Sequence, residues 1–247
     1  VKWGIVLSST RFLDPAAAII LGQAAEAAGF ESLWVAEPVV VPDPLMWFAF
    51  VAAGTSTIRF GSGALVAPEQ PPMALARTAT RLDELARGRL LFGVGIGQPP
   101  GDPPEPGLGT DDRDRWMDDY LEALRTQCHH EAPLAREIPL HIGGASEADL
   151  RRAARWGDGL FVSLRPEDAP VALPRLLGRL SGACAAIDRD PADLELTAGA
   201  RTLGEARWYA SQGITRLTVT VQPAGHHTLC AEIARWGAEL VAPSKDW

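Results

Sequence analysis

Lysine is almost missing from this chain: of 23 basic residues only Lys2 and Lys245 are lysines, and the rest are arginines. That bias reads as codon preference and carries no function. What it leaves is no basic block anywhere, and with a formal net charge of −8 a nucleic-acid backbone is excluded as the expected partner. Cysteine is scarce too. Cys128, Cys184 and Cys230 sit at long, unpatterned spacing, which gives neither a disulfide framework nor a zinc pattern and points to a reducing cytoplasm. No run of ~18 uncharged apolar residues occurs, so no membrane span is expected. No signal peptide is read at the start, where Val1-Lys2-Trp3 runs straight into a strand-like segment. Also missing are a nucleophile elbow, a Ser-His-Asp order and a Cys-His pairing. His129-His130 beside Cys128 has no spaced partners, so no metal site is expected.

What the chain does contain is apolar material, 47% of 247 residues, enough for a core and against disorder. It is distributed as an alternation. Strand-like runs fall at 3–7, 32–36, 58–63, 90–95, 139–143, 159–162, 194–198 and 217–221. They are short and nearly continuous, as suits strands of a parallel sheet buried on both faces. Helical segments lie between them, with starts at Asp14-Pro15, Asp43-Pro44, Pro71-Pro72 and Asp111 or Asp112. Gly29 and Gly88 serve as stops. Ser146 to Asp149 and Thr202 to Glu205 read as capping boxes. Eight strands alternating with helices predict a single (β/α)8 TIM barrel over 1–247, with a doubly wound open sheet as the rival. Residues 98–112, with five prolines between 99 and 106, read as a loop after the fourth strand, either a lid or a surface connection.

Several stretches fall at the C-terminal ends of strands, where barrel active sites sit. Glu37, followed by Pro38, ends the second strand; it is a candidate acid/base or a solvent-facing loop acid. Gly61-Ser62-Gly63 suggests a bulge that re-aims the backbone toward a ligand. Gly93-Val94-Gly95-Ile96-Gly97 permits close backbone approach to a flat ligand or a phosphate, or tight strand-to-loop packing. It is no dinucleotide fingerprint, because the third glycine comes one position early. Gly143-Gly144-Ala145-Ser146 enters a helix and is either an anion site or a plain cap. His226-His227 near the last helix start reads as a surface pair, and tryptophans such as Trp34 and Trp156 as core.

Taken together these stretches resemble the luciferase-like flavin-dependent oxidoreductase family, particularly its branch that uses coenzyme F420, a 5-deazaflavin. The likeness is carried by 24–42 (AAEAAGFESLWVAEPVVVP), 112–125 and 139–163, and most specifically by 52–97, which ends in TRLDELARGRLLFGVGIG. It covers about two thirds of the chain and weakens after about 165. It implies a (β/α)8 barrel with a cofactor across the C-terminal strand ends. On that resemblance Ser62, Gly63 and Ala64 touch the ring, with a non-proline cis peptide near Gly63-Ala64. Gly95, Ile96 and Gly97 pass beside the ring or its ribityl chain, and Gly143, Gly144, Ala145 and Ser146 hold the phosphate. The implied activity is hydride transfer between F420 and a small organic substrate. The alternatives are an FMN-dependent luciferase-like monooxygenase and a non-catalytic flavin-binding protein; a plain barrel isomerase holding a sugar phosphate at Gly143-Gly144 is disfavoured by 52–97. A homodimer through barrel helices is implied as well. Two departures stand out. Glu37-Pro38 replaces the family's usual Asp-His or Glu-His, and a proline cannot relay a proton. The segments after Pro42 and after the fourth strand are shorter than usual, which predicts shortened loops.

Overall fold

The computed structural model describes residues 1–8, 14–36, 44–66, 71–95, 110–131, 137–162, 164, 167–222 and 224–245. Its strands are β1 (Lys2–Leu7), β2 (Ser32–Val35), β3 (Arg59–Ser62), β4 (Leu65–Val66), β5 (Leu90–Gly95), β6 (Leu140–Gly144), β7 (Gly159–Val162), β8 (Glu195–Gly199) and β9 (Arg216–Val221). Between and after them lie α1 (Pro15–Ala27), α2 (Pro44–Gly54), α3 (Pro72–Leu85), α4 (Thr110–Glu131), α5 (Glu147–Trp156), α6 (Ala169–Ala185), α7 (Leu203–Ser211) and α8 (His226–Trp236). The strand order is β3-β2-β1-β9-β8-β7-β6-β5-β4, and β3 also pairs with β5. That pairing closes the sheet. β3 holds the lower part of β5 through Phe60 and Gly61, and β4 holds its upper part through Leu65 and Val66. The two therefore fill one barrel position between them, and the closed parallel barrel has the eight positions expected from the sequence.

Residues alternate along each strand because side chains point to opposite faces with period two. On β9, Leu217, Val219 and Val221 face the helices, while Arg216, Thr218 and Thr220 face the barrel axis. The outward set across all strands, including Ile5, Leu33, Phe60, Phe92, Ile142 and Leu160, joins the buried helix faces in one continuous apolar cluster. Each such side chain contributes about 1.5–3 kcal/mol by leaving water. The inward apolar set is small. Val6, Trp34 and Leu91 form a separate cluster with Ala36 and Phe161 at its edge. The indole of Trp34 takes the space that layered branched side chains fill in many barrels. Glycines make room for it: a Cβ on Gly4 would lie 2.9 Å from Trp34 Nε1, and one on Gly61 would lie 3.0 Å from Trp34 Cζ3.

Helix ends follow the sequence signals closely. Asp14 Oδ1 accepts from the Ala17 amide at 2.7 Å. Gly29 and Gly88 have φ of +84° and +77°, the left-handed conformation in which glycine ends a helix. The expected loop over 98–112 needs correction at its end, since 110–112 are already the first turn of α4; residues 98–109 lie outside the described residues. At Thr202 the hydroxyl accepts from the Glu205 amide at 3.1 Å, but the Glu205 carboxylate reaches the amide of Arg201 at 2.7 Å. The reciprocal half of that box is displaced by one residue.

The N-terminal end of the barrel is plugged by charge. Arg216 is fully buried. Its guanidinium pairs with Glu31, donates from Nε to Glu195 Oε1 at 2.8 Å and from Nη1 to Ser32 Oγ at 2.5 Å. Lys2 Nζ reaches Glu195 at 2.6 Å, and Arg59 lies 3.7 Å from Glu31. Burial pushes the Glu195 carboxyl up, but the Arg216 and Lys2 hydrogen bonds and charges prevail and hold it at about 2. This closed end turns any ligand chemistry to the opposite mouth.

Candidate active site

Toward the C-terminal mouth the inward-facing residues lose their cover. Trp34, His141, Thr197 and Thr218 are buried, whereas Ala36, Gly63, Gly143 and Phe161 one step further on are half-buried, and Gly199 and Thr220 are exposed. The result is an open cup with an aromatic floor. Phe161 stands edge-on to Trp34 at 5.6 Å between centroids. One wall of the cup is nearly free of side chains. It consists of Gly63, Ala64 and Gly143, and the peptide between Gly63 and Ala64 is cis, as the family resemblance implied. A Cβ placed on Gly63 would sit 3.4 Å from Phe161 Cε2 and 3.6 Å from Trp34 Cε3, and one on Gly143 would sit 3.1 Å from the Ala64 methyl. A methyl on Gly63 would thus meet the floor at ordinary contact distance and one on Gly143 would be crowded, so this wall presents main chain rather than side chains to the mouth.

The anticipated site residues divide into three groups. Gly63, Ala64, Gly143, Gly144, Ala145 and Ser146 come together at this mouth, and Gly95 ends β5 opposite Val66. Ser62 belongs to the wall's framework. Its hydroxyl donates to the Gly93 carbonyl at 2.7 Å and accepts from the Gly93 amide at 3.1 Å, bridging β3 to β5 where the strand breaks. Gly93 has no room for a side chain against the Ser62 carbonyl, so tight packing accounts for it. Glu37, Ile96 and Gly97, with Pro38, lie outside the described residues.

At the α5 entry the cap is formed. Ser146 and Asp149 form a full capping box. The Asp149 carboxylate accepts from the Ser146 amide at 3.0 Å and from its hydroxyl at 2.6 Å. Gly144 has φ of +145°, and a side chain there would collide with that carboxylate. Asp149 and Glu147 put two negative charges in the first turn, so the protein's own carboxylate already holds the polar groups of Ser146 that an anion would use. Asp149 has a second partner close by in Arg152 Nη1, 3.5 Å from its other oxygen. Arg152 is itself buried between Asp118 and Asp114, each at 2.7 Å, and ties α5 to α4. Arg179 from α6 stands beside the same turn, donating to the Ala145 carbonyl at 3.1 Å and to Glu147 at 3.0 Å.

Sequence reasoning missed Phe161, Asp149 and Arg179 as site neighbours. Strand phase could have found Phe161, because Gly159 and Phe161 must face inward if Leu160 and Val162 face the helices. Nothing local marks Arg179, which lies 34 residues from the carbonyl it meets. Among the described residues no group of three or more His, Cys, Asp or Glu side chains gathers as a metal site, and no helix is long and apolar enough to cross a membrane.

Comparison with known proteins agrees with this geometry. The family described as luciferase-like monooxygenase matches residues 5–204. An uncharacterized protein of Mycobacterium tuberculosis is 26% identical over 282 aligned positions, covering 96% of this chain and 98% of its own. Set against the 247 residues here, an alignment of 282 positions leaves at least 35 of the relative's residues without a counterpart, in keeping with shortened loops. The coenzyme F420-dependent tetrahydromethanopterin reductase from Methanopyrus kandleri superposes with a TM-score of 0.74 at 15% identity, covering 99% of both chains. A monooxygenase from Streptomyces bottropensis superposes with a TM-score of 0.73 at 18% identity, covering 98% of this chain and 99% of its own. At such identities the structural likeness shows the fold.

Proposed function

The chain belongs to the luciferase-like monooxygenase family, and from that premise we propose that it is a flavin-type oxidoreductase that uses coenzyme F420 to move a hydride to or from a small organic substrate. The observation that carries the reading is the bare wall of Gly63, Ala64 and Gly143 above the Phe161–Trp34 floor. When bound, the deazaflavin would supply a carbon that accepts or releases a hydride. The chain's own part is positioning. Gly63, Ala64 and Gly143 admit the ring and leave main-chain amides along its edge, where they favour charge on a reduced ring. Phe161 and Trp34 exclude water from below. Glu37 is the proposed acid/base, because Pro38 has no proton to give or take. The cofactor's anionic group is assigned to the main chain of Gly144–Ser146, which requires Asp149 to turn from Ser146 toward Arg152.

The second reading is an FMN-dependent monooxygenase, favoured by the family's description and by the Streptomyces bottropensis fold neighbour. A side-by-side fluorescence and absorbance titration with F420 and FMN separates the two. Tight binding of F420 alone is expected. Preference for FMN moves the assignment to the monooxygenase or to flavin storage, and binding of neither removes the cofactor reading while the barrel stands.

The working unit we infer is a homodimer in the cytoplasm. α2 contains no charged or polar side chain, and Met46, Ala49, Phe50 and Ala53 lie exposed on it at helical spacing.

A further inference from the structure

Below the aromatic floor, three buried side chains each hold a polar atom that no group among the described residues satisfies: His141 Nδ1, Thr197 Oγ1 and Arg216 Nη2. All three residues are no more than 1% exposed. A buried polar atom without a partner calls for an explanation, an unplaced water being one. They come from β6, β8 and β9. Thr197 lies opposite Arg216 across the β8–β9 ladder. His141 lies opposite Gly159, which in turn lies opposite Glu195, one inward step below Thr197. The same Glu195 oxygen receives Arg216 Nε at 2.8 Å and stands 3.8 Å from His141 Nε2. His141 and Arg216 also pack on the same indole, at 5.4 Å and 5.7 Å from Trp34.

We propose that this interior layer holds an ordered water molecule bound by Thr197, His141 and Arg216. The donor set selects it. Arg216 Nη2 can only donate, so its partner must accept. Glu195 beside Nε2 favours the tautomer with the proton on Nε2, which leaves Nδ1 as an acceptor whose partner must donate. Thr197 can do either. A ligand that both accepts and donates is required. Water meets this and commonly makes about three hydrogen bonds when buried. A halide or phosphate oxygen cannot satisfy Nδ1, and a metal cation would be repelled by the guanidinium. Gly199, one inward step above Thr197, is exposed, and a Cβ there would meet nothing nearer than the Thr218 carbonyl at 3.9 Å, so the mouth side of this layer is uncovered at that position. The barrel is then a dry apolar layer of Val6, Trp34 and Leu91 over a wet polar one.

Thr197→Val keeps the side-chain shape and removes the hydroxyl, so the sign of its effect decides. A bound water predicts a Tm drop of about 2–4 °C, because the water loses one of its three partners. A rise in Tm overturns the proposal, since deleting an orphan hydroxyl from a dry pocket relieves its cost. Should the variant not fold, 15N NMR of His141 in the unmodified protein gives the answer. Nε2 protonated with Nδ1 as a hydrogen-bonded acceptor supports the water; a free pyridine-type Nδ1, or a proton on Nδ1, overturns it. A crystal soaked in bromide provides a third arm: an anomalous peak at this position would replace the water with an anion and refute the assignment, whereas solvent density bonded to all three side chains confirms it.

Discussion

Two glycines one strand apart at the same mouth owe their identity to different causes, and substitution separates them. At Gly63 a methyl group would touch Phe161 and Trp34 at 3.4 and 3.6 Å, ordinary contact that the folded chain can hold. It would also occupy the slot proposed for the ring. Gly63→Ala is therefore expected to leave the urea midpoint nearly unchanged while weakening F420 binding at least about tenfold, or ~1.4 kcal/mol. Equal affinity in the two proteins would place the ring elsewhere. At Gly144 the constraint is internal. Its φ of +145° and the Asp149 carboxylate in front of it leave no place for a side chain. Gly144→Ala should cost about 1–3 kcal/mol of stability with or without ligand, which chemical denaturation reads directly.

Helix α5 illustrates how far an element can be read from sequence. Its box was legible because Ser146 and Asp149 are three residues apart, and the eight strand positions were legible because each run is short, rich in apolar residues and bounded by helical segments. α6 was not anticipated, since Pro174 interrupts its pattern. In the structure that proline stands early in the helix, with a fixed φ already suited to it, and forfeits one amide. The plug at the closed end was invisible for another reason: Arg216 and Glu31 are 185 residues apart, and no local pattern pairs them. At the site the glycines were readable, but what they face was not, because Phe161 and Arg179 arrive from other strands and helices. Ser146→Ala removes both hydroxyl bonds of the box and should cost ~1 kcal/mol. If Ser146 also meets an anionic group of the cofactor, affinity falls as well; a stability loss at constant affinity would leave it a cap alone. For α2, Phe50→Glu places a charge at the centre of the exposed apolar stripe. A dimer built on this face is expected to become monomeric by analytical ultracentrifugation, and an unchanged mass would move the interface to another face.

Across the whole molecule, acid stability follows from what the barrel buries. Burial pushes the His141 imidazole down from 6.5 to about 4, with Glu195 opposing and Arg216 reinforcing. An unfolded chain takes up that proton near pH 6.5, whereas the folded barrel refuses it until about pH 4. The unfolded state thus binds more protons in that window, and stability, complete above pH 6.5, falls as the pH drops toward 4, by on the order of 3 kcal/mol. Two carboxylates act later. For Glu195 and Glu26 burial raises the carboxyl, but hydrogen bonds from Arg216 and Lys2 to the first, and from Thr57, Ile58 and Ser56 to the second, bring each from 4.5 to about 2. Their stabilisation is complete above pH 4.5 and is lost as the pH falls toward 2. Urea midpoints measured between pH 8 and 3 should therefore begin to decline near pH 6.5, well before any carboxylate titrates, and steepen below 4.5. His141→Gln removes the titrating group at similar size, so its profile should stay flat down to about pH 4.5 and then fall with the carboxylates alone. A wild-type profile equally flat to 4.5 would mean that the barrel accepts a charged His141.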